Sequence, residues 1–126
     1  MIYIRKDAKG HGKQNLIEGK LDKGKKVLVV EDLISTGGSS INAVAAVRNS
    51  GGIVDYCIAI FTYQMKKADE KFKKNNCKLV TLSDFKTLVG VALGAGYIKK
   101  HDKEIVLGWS KDPENWANSI KASSNK

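Results

Sequence analysis

Acidic residues are scarce in this chain: 13 Asp and Glu stand against 22 Lys and Arg, a net charge of +9. An excess of that size directs the protein toward anionic partners, either nucleic acid or a small polyphosphate. Cysteine is scarcer still. Cys57 lies in one apolar run and Cys77 just ahead of another, at no spacing suited to a metal, which excludes a disulfide scaffold and a cysteine metal centre. Both thiols read as reduced, half-buried and inert, as in a cytosolic protein. No apolar run approaches the ~20 residues of a membrane-spanning helix. Met1 leads into Ile2-Tyr3-Ile4 rather than a secretory signal, so the expected location is cytoplasmic and no membrane partner is expected. No stretch is low-complexity, and a chain of 126 residues that is 42% hydrophobic can build one core and one domain, residues 1–126.

The two commonest phosphate-loop patterns are also missing. Gly38 is not followed by the lysine of a Walker loop, and no three spaced glycines form a dinucleotide fingerprint. What is there instead is Val27 to Ser40, VLVVEDLISTGGSS. Val27 to Val30 predicts a strand buried on both faces. Glu31 and Asp32 then stand at its carboxyl end, where ligands bind an open parallel sheet. Ser35, Thr36, Gly37, Gly38, Ser39 and Ser40 bring hydroxyls and uncovered backbone N–H groups to the positive end of the next helix, a setting that suits a phosphate dianion. An acid pair shortly before a phosphate cradle points to a sugar phosphate, with carboxylates on the ribose hydroxyls and the loop on the 5′-phosphate. The plain alternative is a βα turn capped by Ser or Thr, its acids merely solvated.

Positive charge is concentrated upstream of that loop. Residues 1–26 hold eight bases (Arg5, Lys6, Lys9, Lys13, Lys20, Lys23, Lys25, Lys26) against three acids (Asp7, Glu18, Asp22), a net +5. Ile2 to Ile4 reads as a short strand that delivers Arg5 to Lys13, a cationic, glycine-containing segment without an apolar face. Such a segment beside a phosphate site is a candidate lid, or else a solvated connector. The chain opens abruptly in a strand, which suggests a fragment.

Downstream, Ile41, Val44, Ala45 and Val47 or Arg48 repeat at helical spacing, and Asn49-Ser50-Gly51-Gly52 ends that helix. Ile53 to Tyr63 is a second long strand, and strand–helix–strand in this order implies a right-handed crossover onto a parallel sheet. Met65, Ala68 and Phe72 mark a lysine-rich helix, Lys78 to Leu82 a further strand, and Ser83 the cap of a helix whose core face is Phe85, Leu88, Val89 and Ala92. Ile105 and Trp109 can pin another helix, Asp112-Pro113 reads as a cap, and the tail after Trp116 is expected to be loose.

Val27–Ser40 resembles the phosphoribosyl pyrophosphate (PRPP) signature of type I phosphoribosyltransferases. The loop Arg5–Gly12, R-K-x-x-K-x-H-G, is similar to the flexible loop of orotate phosphoribosyltransferases, and Asn15-Leu16-Ile17-Glu18-Gly19 continues the likeness. VALGAGYI followed by a Trp and KDPENW resembles the C-terminal end of those enzymes in Gram-positive bacteria. By these motifs the chain is identified as a member of the orotate phosphoribosyltransferase family. The resemblance implies an α/β type I phosphoribosyltransferase fold, a mainly parallel twisted sheet flanked by helices. It also implies that the N-terminal hood over orotate, part of the sheet and a pyrophosphate-binding loop are absent from this stretch.

The implied activity is transfer of ribose 5-phosphate from PRPP to orotate, with Mg²⁺, in pyrimidine biosynthesis, by a homodimer with shared active sites. Carried over residue by residue, Glu31 and Asp32 would hold the ribose hydroxyls. Ser35, Thr36, Gly37, Gly38 and Ser39 would hold the 5′-phosphate, Leu33 and Ile34 would also belong to the PRPP-binding set, and Ser35 would also touch orotate. Arg5, Lys6, Lys9 and His11 would bind the pyrophosphate of a substrate in the neighbouring subunit. Lys9 and Asp32 would be the catalytic residues, and no metal site made by the protein alone is implied. Two alternatives stay open: a phosphoribosyltransferase for another base, and a PRPP-sensing, nucleic-acid-binding regulator on the same fold. The lid residues Lys9 and His11 speak against the regulator, which has no evident use for leaving-group cations, so nucleic acid is the less favoured partner.

Overall fold

β-Branched and apolar runs divided by glycine-bearing turns give this chain three parallel strands joined by helices. The computed structural model describes residues 1–5 and 17–118. A short antiparallel pair, β1 (Tyr3–Ile4) with β2 (Ile17–Glu18), comes first. The main sheet contains β3 (Val29–Ile34), β4 (Tyr56–Thr62) and β5 (Lys78–Asp84), in the order β3-β4-β5 and parallel throughout. Between them run α1 (Gly38–Asn49) and α2 (Lys66–Lys74), and after them α3 (Phe85–Gly94) and α4 (Asp102–Lys111).

Strand order fixes which face is covered. Successive right-handed crossovers that step in one direction put both connecting helices on the same side. Accordingly Val29, Cys57 and Ala59 from the strands and Val44, Val47, Ala68 and Phe72 from α1 and α2 share one buried core. Alternate strand residues face the other way. That face stays open: Val30 is 69%, Ile60 60% and Leu82 77% exposed. The expectation that Val27–Val30 is buried on both faces therefore fails, because helices cover one side of β3 among the described residues.

Local signals behaved as their chemistry dictates, with two shifts. A Cβ at Gly52 would stand 2.7 Å from Val47 Cγ1, so the chain can leave α1 this closely only through glycine. Arg48, in the last turn of α1, donates to the carbonyls of Val54, Asn75 and Asn76 and ties the helix end to the start of β4 and the end of α2. The cap of α3 is Asp84 rather than Ser83: β5 extends two residues beyond Leu82, and Asp84 Oδ1 accepts from the Thr87 N–H at 2.8 Å. On α3, Val89 is buried while Leu88 is half exposed, so its expected core stripe is only partly used. Trp109 of α4 packs edge-on against Tyr63, with ring centroids 5.1 Å apart, and contacts Phe85. Asp112 does cap, accepting from the Asn115 N–H at 3.3 Å. The last residues of the expected loose tail, 119–126, lie outside the described residues.

Candidate phosphate and ribose site

The loop between β3 and α1 is shaped by what lies beneath it. Gly37 has φ +72°, a left-handed conformation that L side chains rarely adopt, and a Cβ there would come within 3.1 Å of the Phe72 ring and 3.5 Å of Ala68 Cα. So Gly37 does two things: it turns the chain into α1 and lets the loop rest directly on α2. Having no side chain, it forms no side-chain cap on α1. No side chain therefore satisfies the first-turn amides of α1, the groups that an anion takes up at a helix N-terminus. Ser35, Thr36 and Ser39 are exposed around this turn, Gly38 is half-buried, and Thr36 Oγ1 stands 4.0 Å from where a Cβ of Gly38 would be.

The acid pair lies inside β3, whose last two residues are Leu33 and Ile34, rather than beyond the strand's end. The two carboxylates are held separately. Glu31 is half-buried and its Oε1 accepts from Ser40 Oγ at 3.0 Å. Asp32 is exposed and its Oδ1 accepts from the Leu33 N–H at 2.7 Å. Leu33 is exposed, whereas Ile34 is 1% exposed and its carbonyl accepts from the Tyr63 N–H, so its side chain belongs to the core and not to a ligand. Behind Glu31, burial foremost, then the neighbouring Cys77 and Glu31 itself, push the Cys57 thiol up to about 12. Cys77 is raised as well, chiefly by burial. Both thiols are fully buried rather than half-buried, and the protonated form accords with an inert role.

Arg5 stands at the root of the cationic segment, where it forms an ion pair with Glu18 across the β1–β2 pair. Lys6, Lys9 and His11 lie outside the described residues. Ser40, expected to bring its hydroxyl to the phosphate cradle, instead turns inward: it is buried and its hydroxyl holds Glu31. No local pattern marks that role, which depends on how α1 packs against β3 nine residues back.

A divalent cation would find two carboxylates here and no protein cage: the described residues contain no group of three or more His, Cys, Asp or Glu suited to a metal. Such a donor set fits Mg²⁺, which keeps waters and takes one or two carboxylates together with substrate phosphates. No helix among the described residues is long and apolar enough to cross a membrane.

The curated relatives that the chain matches are named orotate phosphoribosyltransferase. No protein-family model matches the sequence. Orotate phosphoribosyltransferase of Coxiella burnetii is 50% identical over 116 residues, 92% of this chain and 56% of that protein. The Staphylococcus saprophyticus enzyme of the same name is 54% identical over 109 residues, 86% of this chain and 54% of its own length. Among solved structures, orotate phosphoribosyltransferase from Aeropyrum pernix superposes with a TM-score of 0.64 at 28% identity, over 78% of this chain and 52% of that one. Leishmania donovani UMP synthase, at 24% identity and a TM-score of 0.66, shares the fold over 85% of this chain and 23% of its own. The chain thus has the α/β fold of these phosphoribosyltransferases, and it spans just over half the length of the curated relatives it matches.

Proposed function

We propose that this chain, a relative of the orotate phosphoribosyltransferases over 92% of its length, supplies the ribose- and phosphate-binding part of an enzyme that transfers ribose 5-phosphate from PRPP to orotate. The observation that carries this reading is the arrangement of β3, its turn and α1: two separately held carboxylates followed by an uncapped helix N-terminus floored by Gly37. In this reading the domain, residues 1–126, is a partial phosphoribosyltransferase domain.

The chemistry asks for these residue types. The bond from ribose C1 to the pyrophosphate oxygen breaks, pyrophosphate leaves with the electron pair, and N1 of orotate forms the new bond to C1 while its proton passes to solvent or the departing pyrophosphate. Positive charge develops on the sugar while negative charge grows on the leaving group. Asp32 and Glu31 hold the ribose hydroxyls and fix the ring. The amides and hydroxyls from Ser35 to Ser39 hold the 5′-phosphate, and Ser35 reaches orotate. Arg5, Lys6, Lys9 and His11 meet the pyrophosphate of a substrate bound in a second copy, the cations acting most strongly as the leaving group departs. A loop of that kind closed over the substrate also keeps water from the activated sugar. When bound, Mg²⁺ neutralises pyrophosphate charge; Glu31 and Asp32 are the residues of this chain suited to stand beside it. The working state is a homodimer, in the cytoplasm.

A chimera tests the assignment. Replacing the matched 116 residues of the Coxiella burnetii relative with this chain should give a protein that consumes orotate in the presence of PRPP and Mg²⁺. A folded chimera that binds neither PRPP nor orotate would refute it.

A further inference from the structure

The Walker loop carries its lysine just after the last glycines, and the sequence of this loop has none there. The fold brings one from elsewhere. Gly37 sits against Phe72 and Ala68, so α2 runs directly beneath the turn, and Lys71 is the residue next to Phe72 on that helix. A Cβ built on Gly38 would lie 3.5 Å from Lys71 Nζ and 4.0 Å from Thr36 Oγ1. An ammonium and a hydroxyl therefore bracket an open position at the first residue of α1, a position that a side chain at 38 would occupy.

The other charges of α2 do not share this setting. Lys66 pairs with Glu70 at 3.7 Å, and Lys67 pairs with Glu114. None of the ion pairs among the described residues includes Lys71. A cation without a carboxylate partner, next to the positive end of a helix, repels its surroundings until an anion arrives.

We propose that Lys71 is a phosphate-binding residue, its ammonium reaching from α2 to the 5′-phosphate held by the β3–α1 turn. This rests on the reading of that turn given above and adds to it a ligand from a separate element. It assigns the turn a dianion: two positive ends, the helix terminus and the ammonium, match a doubly charged phosphate better than a carboxylate or a singly charged ester. Five lysines stand within Lys66–Lys74, and sequence alone gives no ground for choosing among them. The choice comes from the packing of Phe72 under Gly37.

The test is calorimetric titration of ribose 5-phosphate into the chain and four variants. Lys71→Gln should weaken binding about tenfold, the usual worth of a charge-assisted hydrogen bond, while Lys71→Arg stays within about threefold of the parent. Lys66→Gln removes the same charge from the same helix and should leave binding unchanged. The Lys71→Gln loss should shrink as pH falls below ~6, where the phosphate becomes a monoanion. Lys71 is exposed, so the melting temperature should not move. Equal effects of Lys71→Gln and Lys66→Gln, or none from Lys71→Gln, would overturn the assignment. If Thr36→Ala weakens binding while Lys71→Gln does not, the reading of the turn survives and Lys71 falls. If the parent chain does not bind ribose 5-phosphate at millimolar concentration, both fall.

Discussion

Ser40 Oγ donates to Glu31 Oε1 at 3.0 Å from a position with no solvent exposure. The bond crosses from the inward face of α1 to the middle of β3, so it couples the acid of the strand to the helix whose N-terminus forms the turn. Glu31 has two carboxylate oxygens, and this bond occupies one.

Ser40→Ala should therefore act at a distance. Removing a buried hydroxyl from a carboxylate costs about 1 kcal/mol, a fall of roughly 4 °C in melting temperature for a domain of this size. It should also weaken ribose 5-phosphate binding severalfold by freeing the Glu31 side chain. Thermal melts beside calorimetry check this. Lost stability with unchanged binding would make Ser40 a packing residue and no more.

Asp32→Asn should behave in the opposite way. Its carboxylate is exposed, and the single internal bond it accepts, from the Leu33 N–H, can be accepted by an amide oxygen as well. In the chimera with the Coxiella burnetii relative, we expect turnover to drop roughly a hundredfold and the melting temperature to stay within a degree or two. Normal turnover with a lowered melting temperature would show that the residue serves the fold.

How far the sequence could be read is clearest around these residues. The acid pair, the glycine turn and the helix after it were legible because each is a local pattern: β-branched run, carboxylates, small residues, helical periodicity. Ser40 and Lys71 were not, since their roles depend on contacts with residues nine and more than thirty positions away. The open face of the sheet was misread for a related reason. A near-continuous apolar run such as Val27–Val30 tells that both sides of a strand avoid water, but not whether the same stretch of chain supplies the cover. Asp84 displaced Ser83 as a cap because strand ends depend on pairing with β4, which periodicity does not encode.

Gly37 offers a sharper test of the turn. Alanine there must adopt φ near +72° and push against the Phe72 ring at 3.1 Å. The left-handed conformation alone costs about 1–2 kcal/mol. Gly37→Ala should lower stability by at least that amount, and relieving the contact with Phe72→Leu should recover part of it, as read from denaturant midpoints. No recovery in the double variant would mean that backbone strain, not contact with α2, is the reason for glycine.

Alkaline pH probes the core behind the site. The Cys57 thiol, raised by burial from 9.0 to about 12, binds its proton more tightly in the folded chain than in the unfolded one. Its contribution to stability is full below pH 9 and is lost as pH rises toward 12. Melting temperatures measured from pH 8 to 11 should fall steadily above 9, and Cys57→Ala should flatten that fall while lowering the curve as a whole. Parallel curves for the two proteins would show that other groups govern the alkaline loss.

The last prediction concerns the bare face of the sheet. In register, Val30, Ile58 and Val80 form one apolar row, with Tyr56, Ile60 and Leu82 on the same side by strand alternation. Parallel sheets ordinarily have both faces covered, and an apolar patch of this kind on a lone chain attracts other apolar surfaces. Residues 1–126 by themselves should bind an apolar-sensing dye strongly and associate as concentration rises, although the charge of +9 opposes association. Ile60→Lys and Leu82→Lys replace side chains that are mostly exposed and make little of the core, so both should fold normally. Each should reduce dye fluorescence and shift the chain toward monomer in sedimentation, and the double variant should do so more than either. Dye binding and association that persist in the double variant, at an unchanged melting temperature, would move the sticky surface elsewhere and leave this face without consequence.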